Sequence, residues 1–282
     1  MKAQRLNFDY LNLRKEVPLY IRLAVKSLFS RPRVTNGNVL VINPCLIGEF
    51  AATAPVIYDF ILRNPNKQVD LLVTPPLKPL AERMRGVRHV YTARSVYGRS
   101  NEKGTESERP QSKYERTIVM RISPETYRIV TSIEHGEIVT GVKPFLRYGL
   151  HLLASLLRRK TPRRWSDANF ALMGARPHRI PAQEIFNITE HDYEDIRSHE
   201  ALAGSEKKIV VHTYCHWGAR RWATDKWIEL LKKVYMDEPI RFIFVGGEAE
   251  EEQYKEISKQ LPFPIYSLIN RTSLWELLVL FT

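Results

Sequence analysis

Cysteine is scarce in this chain: Cys45 and Cys215 are the only two in 282 residues. Two thiols cannot build a disulfide framework, which points to a reducing cytoplasm. Long apolar runs are also missing. None approaches the ~18–20 residues that cross a bilayer. No basic stub followed by an apolar run and a small-residue cleavage site opens the chain, so secretion is not expected. The 13 Gly and 17 Pro are too few for a collagen-like or low-complexity chain. Acidic residues are sparse in one part only. Residues 1–180 carry 14 Asp/Glu against 31 Lys/Arg, a net +17, whereas residues 181–282 carry 17 against 12, a net −5. The overall +12 therefore hides two modules of opposite sign, the first facing something anionic: nucleic acid, a membrane surface or an acidic substrate. What is present, 44% hydrophobic and 26% charged residues, is a globular composition, and the length fits two domains.

The chain opens with a basic arm, residues 1–37. Leu13, Val17, Tyr20, Ile21, Ala24, Val25 and Leu28 recur at helical spacing, with Pro18 starting or kinking the helix. Eight Lys/Arg accompany this stripe. It reads equally as a contact with an anionic membrane and as a solvated helix packed on the body. A β-α alternation follows over 38–180: strand Val39–Ile42, helix Glu49–Arg63 with Pro55 in its first turns, strand Val69–Val73, helix Leu77–Met84 and strand Arg88–Tyr91. Residues 94–116 read as a polar loop, Thr117–Arg121 as a strand, and Phe145–Leu157 as a helix ending in a basic cluster. The stretch to about Thr140 has no clear pattern, and 174–190 reads as a linker. The alternation restarts within 181–282: strand Lys208–His212, helix Thr224–Met236, strand Ile240–Val245, helix Glu248–Leu261 and strand Ile265–Leu268. Ser273 with Glu276 has the form of a capping box opening an apolar last helix. Three strands with an uncapped apolar helix look like an incomplete module.

Ligands of doubly wound sheets bind beyond the carboxyl ends of strands, which singles out two loops. In Asn43–Pro55, Gly48 allows a tight turn and Glu49 falls at a helix start, where a carboxylate can take a proton from a substrate hydroxyl or simply favour the dipole. In His212–Trp222, the Arg220–Arg221 pair before a helix suits a phosphate or diphosphate, or is a solvated turn. His212, Cys215 and His216 lack tetrahedral zinc spacing, so no metal is expected. A Cys/His nucleophile has no orienting third residue. Gly246-Gly247 opens the next helix, and the acids after it, Glu248 and Glu250, suit ribose hydroxyls rather than phosphate.

Four stretches together resemble glycosyltransferase family 9, the ADP-heptose:lipopolysaccharide heptosyltransferases. Ile47-Gly48-Glu49 with Thr53 and Pro55 is similar to the family's Ile-Gly-Asp-x-x-x-Thr-x-Pro. His212 with Arg220, Arg221 and Trp222 resembles its His-Pro-Gly…Lys-Arg-Trp segment. Val245-Gly246-Gly247 with Glu250, and Thr272-Ser273-Leu274 with Glu276-Leu277, match two more. The resemblance implies a GT-B fold, that is, two Rossmann-like doubly wound α/β domains facing a cleft. The acceptor domain would be 38–180 and the nucleotide-sugar domain 181–282, the latter incomplete. It implies metal-free, cofactor-free inverting transfer of a sugar, heptose from ADP-heptose, to a lipopolysaccharide core acceptor. The protein would work as a peripheral enzyme at the cytoplasmic face of the inner membrane, and no nucleic-acid partner is expected. Glu49 would be the general base, with Gly48 and Thr53 on the acceptor side. Thr213, Arg220, Arg221, Gly246, Gly247 and Glu250 would hold the donor. Three departures stand out. Glu49 replaces Asp, Thr213-Tyr214 replaces Pro-Gly, and the family's later Asp-Ser-Gly-x-x-His-x-Ala segment is absent. They motivate an alternative: a truncated or degenerate member that binds glycolipid or nucleotide without catalysis.

Overall fold

The fold was analysed in a computed structural model. It describes residues 18–19, 21–23, 25–26, 35–93, 110, 113–121, 124–140, 170, 173–175, 178–215, 221–237 and 240–282. The chain divides into two compact units, Met1–Asn187 and Ile188–Thr282.

In the first unit the apolar run Asn38–Ile42 forms β1, and Val39 to Ile42 are at most 1% exposed. Such a run suits a strand covered on both faces. α1 (Ile47–Arg63) follows, then β2 (Gln68–Val73), a 3₁₀ turn at Pro75–Leu77, α2 (Lys78–Glu82) and β3 (Val87–Thr92). β4 (Tyr114–Val119), α3 (Pro124–Ser132) and β5 (His135–Thr140) complete the sheet. Its order is β3-β2-β1-β4-β5, and every pairing is parallel. This is the order of a doubly wound fold, with β1 at the centre and a switch point between β1 and β4. Leu40, Ile42, Leu72, Tyr114 and Val119 pack with Ile129 and Val130 of α3 on one face. Leu23 of the basic arm is fully buried in the same cluster, while Ile21 and Val25 are 55% and 52% exposed. Among the described residues of the arm, Leu23 is therefore docked on the sheet, and Ile21 and Val25 leave apolar groups outside.

Several local expectations are revised. β4 begins at Tyr114, inside the stretch read as a loop, because Tyr114 is fully buried and already in register with β5, opposite His135. Pro55 is not in the first turns of α1 but is its ninth residue, because the helix starts at Ile47. There it leaves the Ala51 carbonyl without an in-helix donor. The stretch 181–187 is not a free linker: α4 (Ala182–Ile185) lies in it, and the backbone of Arg85 donates to Ile185 O at 2.8 Å. The helix expected over Phe145–Leu157, the basic cluster after it and most of the 94–116 loop lie outside the described residues.

In the second unit, α5 (Glu190–Arg197) precedes β6 (Lys207–Val211), α6 (Thr224–Asp237), β7 (Ile240–Phe244), α7 (Glu248–Gln260), β8 (Tyr266–Ser267) and α8 (Leu274–Leu280). The sheet runs β6-β7-β8, all parallel. Phe242, Phe244, Leu231 and Ile257 build one face, with Tyr235 stacked on Phe263 at 3.8 Å. Ile243, Val245 and Leu268 build the other, against Leu277 and Leu280 of α8. The capping box read from sequence is present: Ser273 Oγ accepts from Glu276 N and Glu276 Oε2 from Ser273 N at 2.6 Å. These bonds hold the Glu276 carboxyl below the usual range. Trp275 donates to Asp192 Oδ1 at 2.7 Å, tying α8 to α5.

Candidate functional site

β1 ends at Ile42, and the chain turns at Asn43. The Asn43 backbone N–H donates to Leu72 O and its amide to Thr53 Oγ1, both at 2.8 Å. Thr53 in turn donates toward the Glu49 and Phe50 carbonyls one helical turn earlier. Thr74 closes the turn from β2 by donating to Cys45 O at 3.1 Å. Thr53 is thus buried at 1% and holds the turn from below. Gly48 lies in the first turn of α1 without positive φ, and a side chain there would meet open space. It leaves the helix head uncovered instead of enabling the turn.

Glu49 stands in this first turn, where an anion is favoured by the helix dipole. Its Oε1 accepts from Arg121 Nη2 at 2.5 Å, and the two side chains are 23% and 25% exposed. Leu46 and Ile47 flank it, exposed. Cys45 is buried beside the pair. Burial, with the Glu49 charge second, pushes its thiol up to about 12, and Arg121 acts in the opposite sense. Arg121, missed by the motif reading, ends the segment that follows β4, a position that the same carboxyl-end rule could have singled out.

In the second unit, the loop after β6 carries His212 and Thr213. His212 Nε2 lies 3.0 Å from Glu250 Oε1. Glu250 is 5% exposed, and its Oε2 accepts the Gly247 N–H at 2.9 Å. Gly246 has φ +149°, and a Cβ there would fall 2.5 Å from the Glu250 carboxyl carbon. Only glycine lets that carboxylate sit against the turn. The Thr213 hydroxyl is buried with no partner among the described residues. Arg221 is exposed, donates from Nε to Cys215 O at 2.6 Å and lies 4.0 Å over the Tyr214 ring. Trp222 meets Trp227 edge-on at 5.3 Å. Arg220 lies outside the described residues. The structure thus gathers Thr213, Gly246, Gly247 and Glu250 at the carboxyl ends of β6 and β7. Among the described residues no group of three or more His, Cys, Asp or Glu could hold a metal ion.

No protein-family model and no curated protein matches this sequence. Solved structures do. ADP-heptose lps heptosyltransferase II of E. coli matches with a TM-score of 0.56 and 20% identity over 85% of this chain and 75% of that one. A glycosyl transferase family 9 structure from Veillonella parvula matches with a TM-score of 0.59 and 12% identity, covering 88% and 74%. E. coli heptosyltransferase WaaC with ADP matches with a TM-score of 0.56 and 17% identity, covering 82% and 74%. The chain has the fold of these glycosyltransferases. Their GT-B class accounts for the two parallel, Rossmann-like sheets seen here, each with its candidate residues at the carboxyl ends of its strands.

Proposed function

We propose that this chain is a heptosyltransferase-like inverting glycosyltransferase, with a nucleotide-sugar donor on the second unit and a lipopolysaccharide-core acceptor on the first. The observation that carries the reading is Glu49: a carboxylate in the first turn after β1, at the carboxyl end of a parallel sheet, in a chain whose fold is shared with a heptosyltransferase solved with ADP. Glu49 accepts the proton of the acceptor hydroxyl as that oxygen attacks the anomeric carbon. The bond from that carbon to the diphosphate breaks, and the nucleoside diphosphate leaves. Arg220 and Arg221 take up charge on the leaving diphosphate. The buried Thr213 hydroxyl adds a polar group without a described protein partner, and Glu250 receives the ribose hydroxyls on its remaining lone pairs. ADP-heptose is the proposed donor, because a neighbour of the same fold was solved with ADP-2-deoxy-2-fluoro heptose. The acceptor is a phosphorylated glycolipid, which suits the +17 of residues 1–180, and the basic arm meets the anionic inner face of the membrane.

The test is transfer from ADP-heptose to a heptose-deficient lipopolysaccharide core. The native chain transfers and Glu49→Gln does not; full activity in that variant sinks the reading. A second reading, binding without turnover, is motivated by Glu49 standing where the resembling family has Asp. Calorimetric ADP binding with no transfer to any core acceptor decides for it.

A further inference from the structure

The Glu49 contact is built by the sheet. β4 lies beside β1, with Ile42 opposite Val119. The backbone N–H groups of Met120 and Arg121, the next two residues, both donate to Ile42 O, at 2.9 and 3.3 Å. Arg121 is therefore anchored to the end of the strand from which the Glu49 loop departs. The loop is anchored too, through Asn43, Thr53 and Thr74. Two fixed backbones present a guanidinium and a carboxylate to each other at 2.5 Å, across 72 residues of sequence. A charge-assisted bond between partly desolvated groups is stronger than a neutral one. It also restrains the torsions of a long side chain in the first turn of α1.

We propose that Arg121 is a positioning residue for Glu49, fixing its carboxylate at the head of α1, where it accepts the acceptor's proton. The inference rests on the reading of Glu49 as the general base. It accounts for a Glu at a place where the resembling family has Asp: the longer side chain is tied by a guanidinium. Besides Arg121 from the end of β4, the titratable group facing Glu49 among the described contacts is Cys45 from the loop, whose buried thiol stays neutral and takes no part in the proton transfer.

The test is the transfer assay on the full chain, with a urea midpoint measured for each variant. Arg121→Gln lowers kcat on the order of 10²-fold, as loss of positioning does, while the donor KM stays within about twofold and the urea midpoint stays near the native one. Arg121→Lys, which keeps the charge, restores most of kcat. A native kcat in Arg121→Gln overturns the proposal, and so does a fall in kcat that comes with a lower urea midpoint or a raised KM, because the arginine then acts on the fold or on substrate. Full transfer by Glu49→Gln overturns the base reading and this role with it. An inactive Glu49→Gln beside a native kcat in Arg121→Gln overturns the role of Arg121 only.

Discussion

Asp70 on β2 and Arg88 on β3 form a two-point ion pair, Nε to Oδ1 and Nη2 to Oδ2, both at 2.8 Å. The carboxylate is fully buried, and the Tyr114 hydroxyl donates to it as well, at 2.8 Å. Arg88 also reaches Asn38 and Gln68. This network ties the four adjacent strands β3, β2, β1 and β4 together toward their amino ends, away from Glu49. It stabilises the sheet without touching the candidate chemistry. Breaking a buried pair leaves an uncompensated charge, so Asp70→Asn costs about 3 kcal/mol, read as a lower urea midpoint.

The same network sets a pH dependence. Burial, and then the bond to Asp70, holds the Tyr114 hydroxyl far above the ordinary tyrosine range. A raised folded-state value means that its stabilisation is complete below the unfolded value, near pH ~10, and is lost as the pH rises past it. Urea midpoints therefore fall between pH 8 and 11. Tyr114→Phe is less stable at pH 8, by about 1–2 kcal/mol for the lost bond to a charged acceptor, and the gap to the native chain narrows at pH 11. A gap that widens excludes this linkage.

Gly246→Ala pushes the Glu250 carboxylate off the turn, because the new Cβ overlaps it and φ +149° disfavours any side chain. The strain costs about 1–3 kcal/mol. ADP affinity by calorimetry drops about tenfold, equivalent to ~1.4 kcal/mol. Glu250→Gln leaves the turn in place and weakens ADP similarly. Native affinity in Glu250→Gln removes this residue from the donor site.

The two thiols separate by reactivity. With its thiol near 12, Cys45 carries almost no thiolate at pH 8 and is buried, whereas Cys215 is partly exposed. Iodoacetamide followed by mass spectrometry finds Cys215 alkylated in the native protein and Cys45 only after denaturation. Early labelling of Cys45 shows that the Glu49 loop opens.

The basic arm divides by face. Leu23→Glu places a charge in the core cluster of the first unit and lowers thermal stability sharply, by about 3 kcal/mol or more. Ile21→Glu with Val25→Glu alters groups already in solvent and leaves stability within about 0.5 kcal/mol. That double variant sediments less with phosphatidylglycerol vesicles than the native chain. Equal sedimentation assigns the arm to packing alone.

Elements with a strong local signature were legible without coordinates. The unbroken run Val39–Ile42 is a buried strand, and the stripe Trp227, Ile228, Leu231, Val234, Tyr235 is the packed face of α6. Ser273 and Glu276 form the capping box that their spacing announces. Weak signatures went unread. α5 has one buried residue, Ile196, and opens with a capping box of Thr189 and Asp192. β5 carries a Gly and a Glu and is placed by its pairing with β4, not by its own alternation. Both depend on neighbours far along the chain.

Residue order alone set the β-α alternation, the charge division between the two units and the motif residues Glu49, Thr213, Gly246 and Glu250, because propensity, periodicity and turn chemistry act among adjacent residues. Which of those residues acquire partners was decided only when the sheets formed. Glu49 meets Arg121 because β4 lies beside β1 in register; Glu250 meets His212 because β7 lies beside β6; and Asp70 is neutralised by a residue of the next strand. Strand order and register come from long-range burial of apolar faces, and no local pattern encodes them.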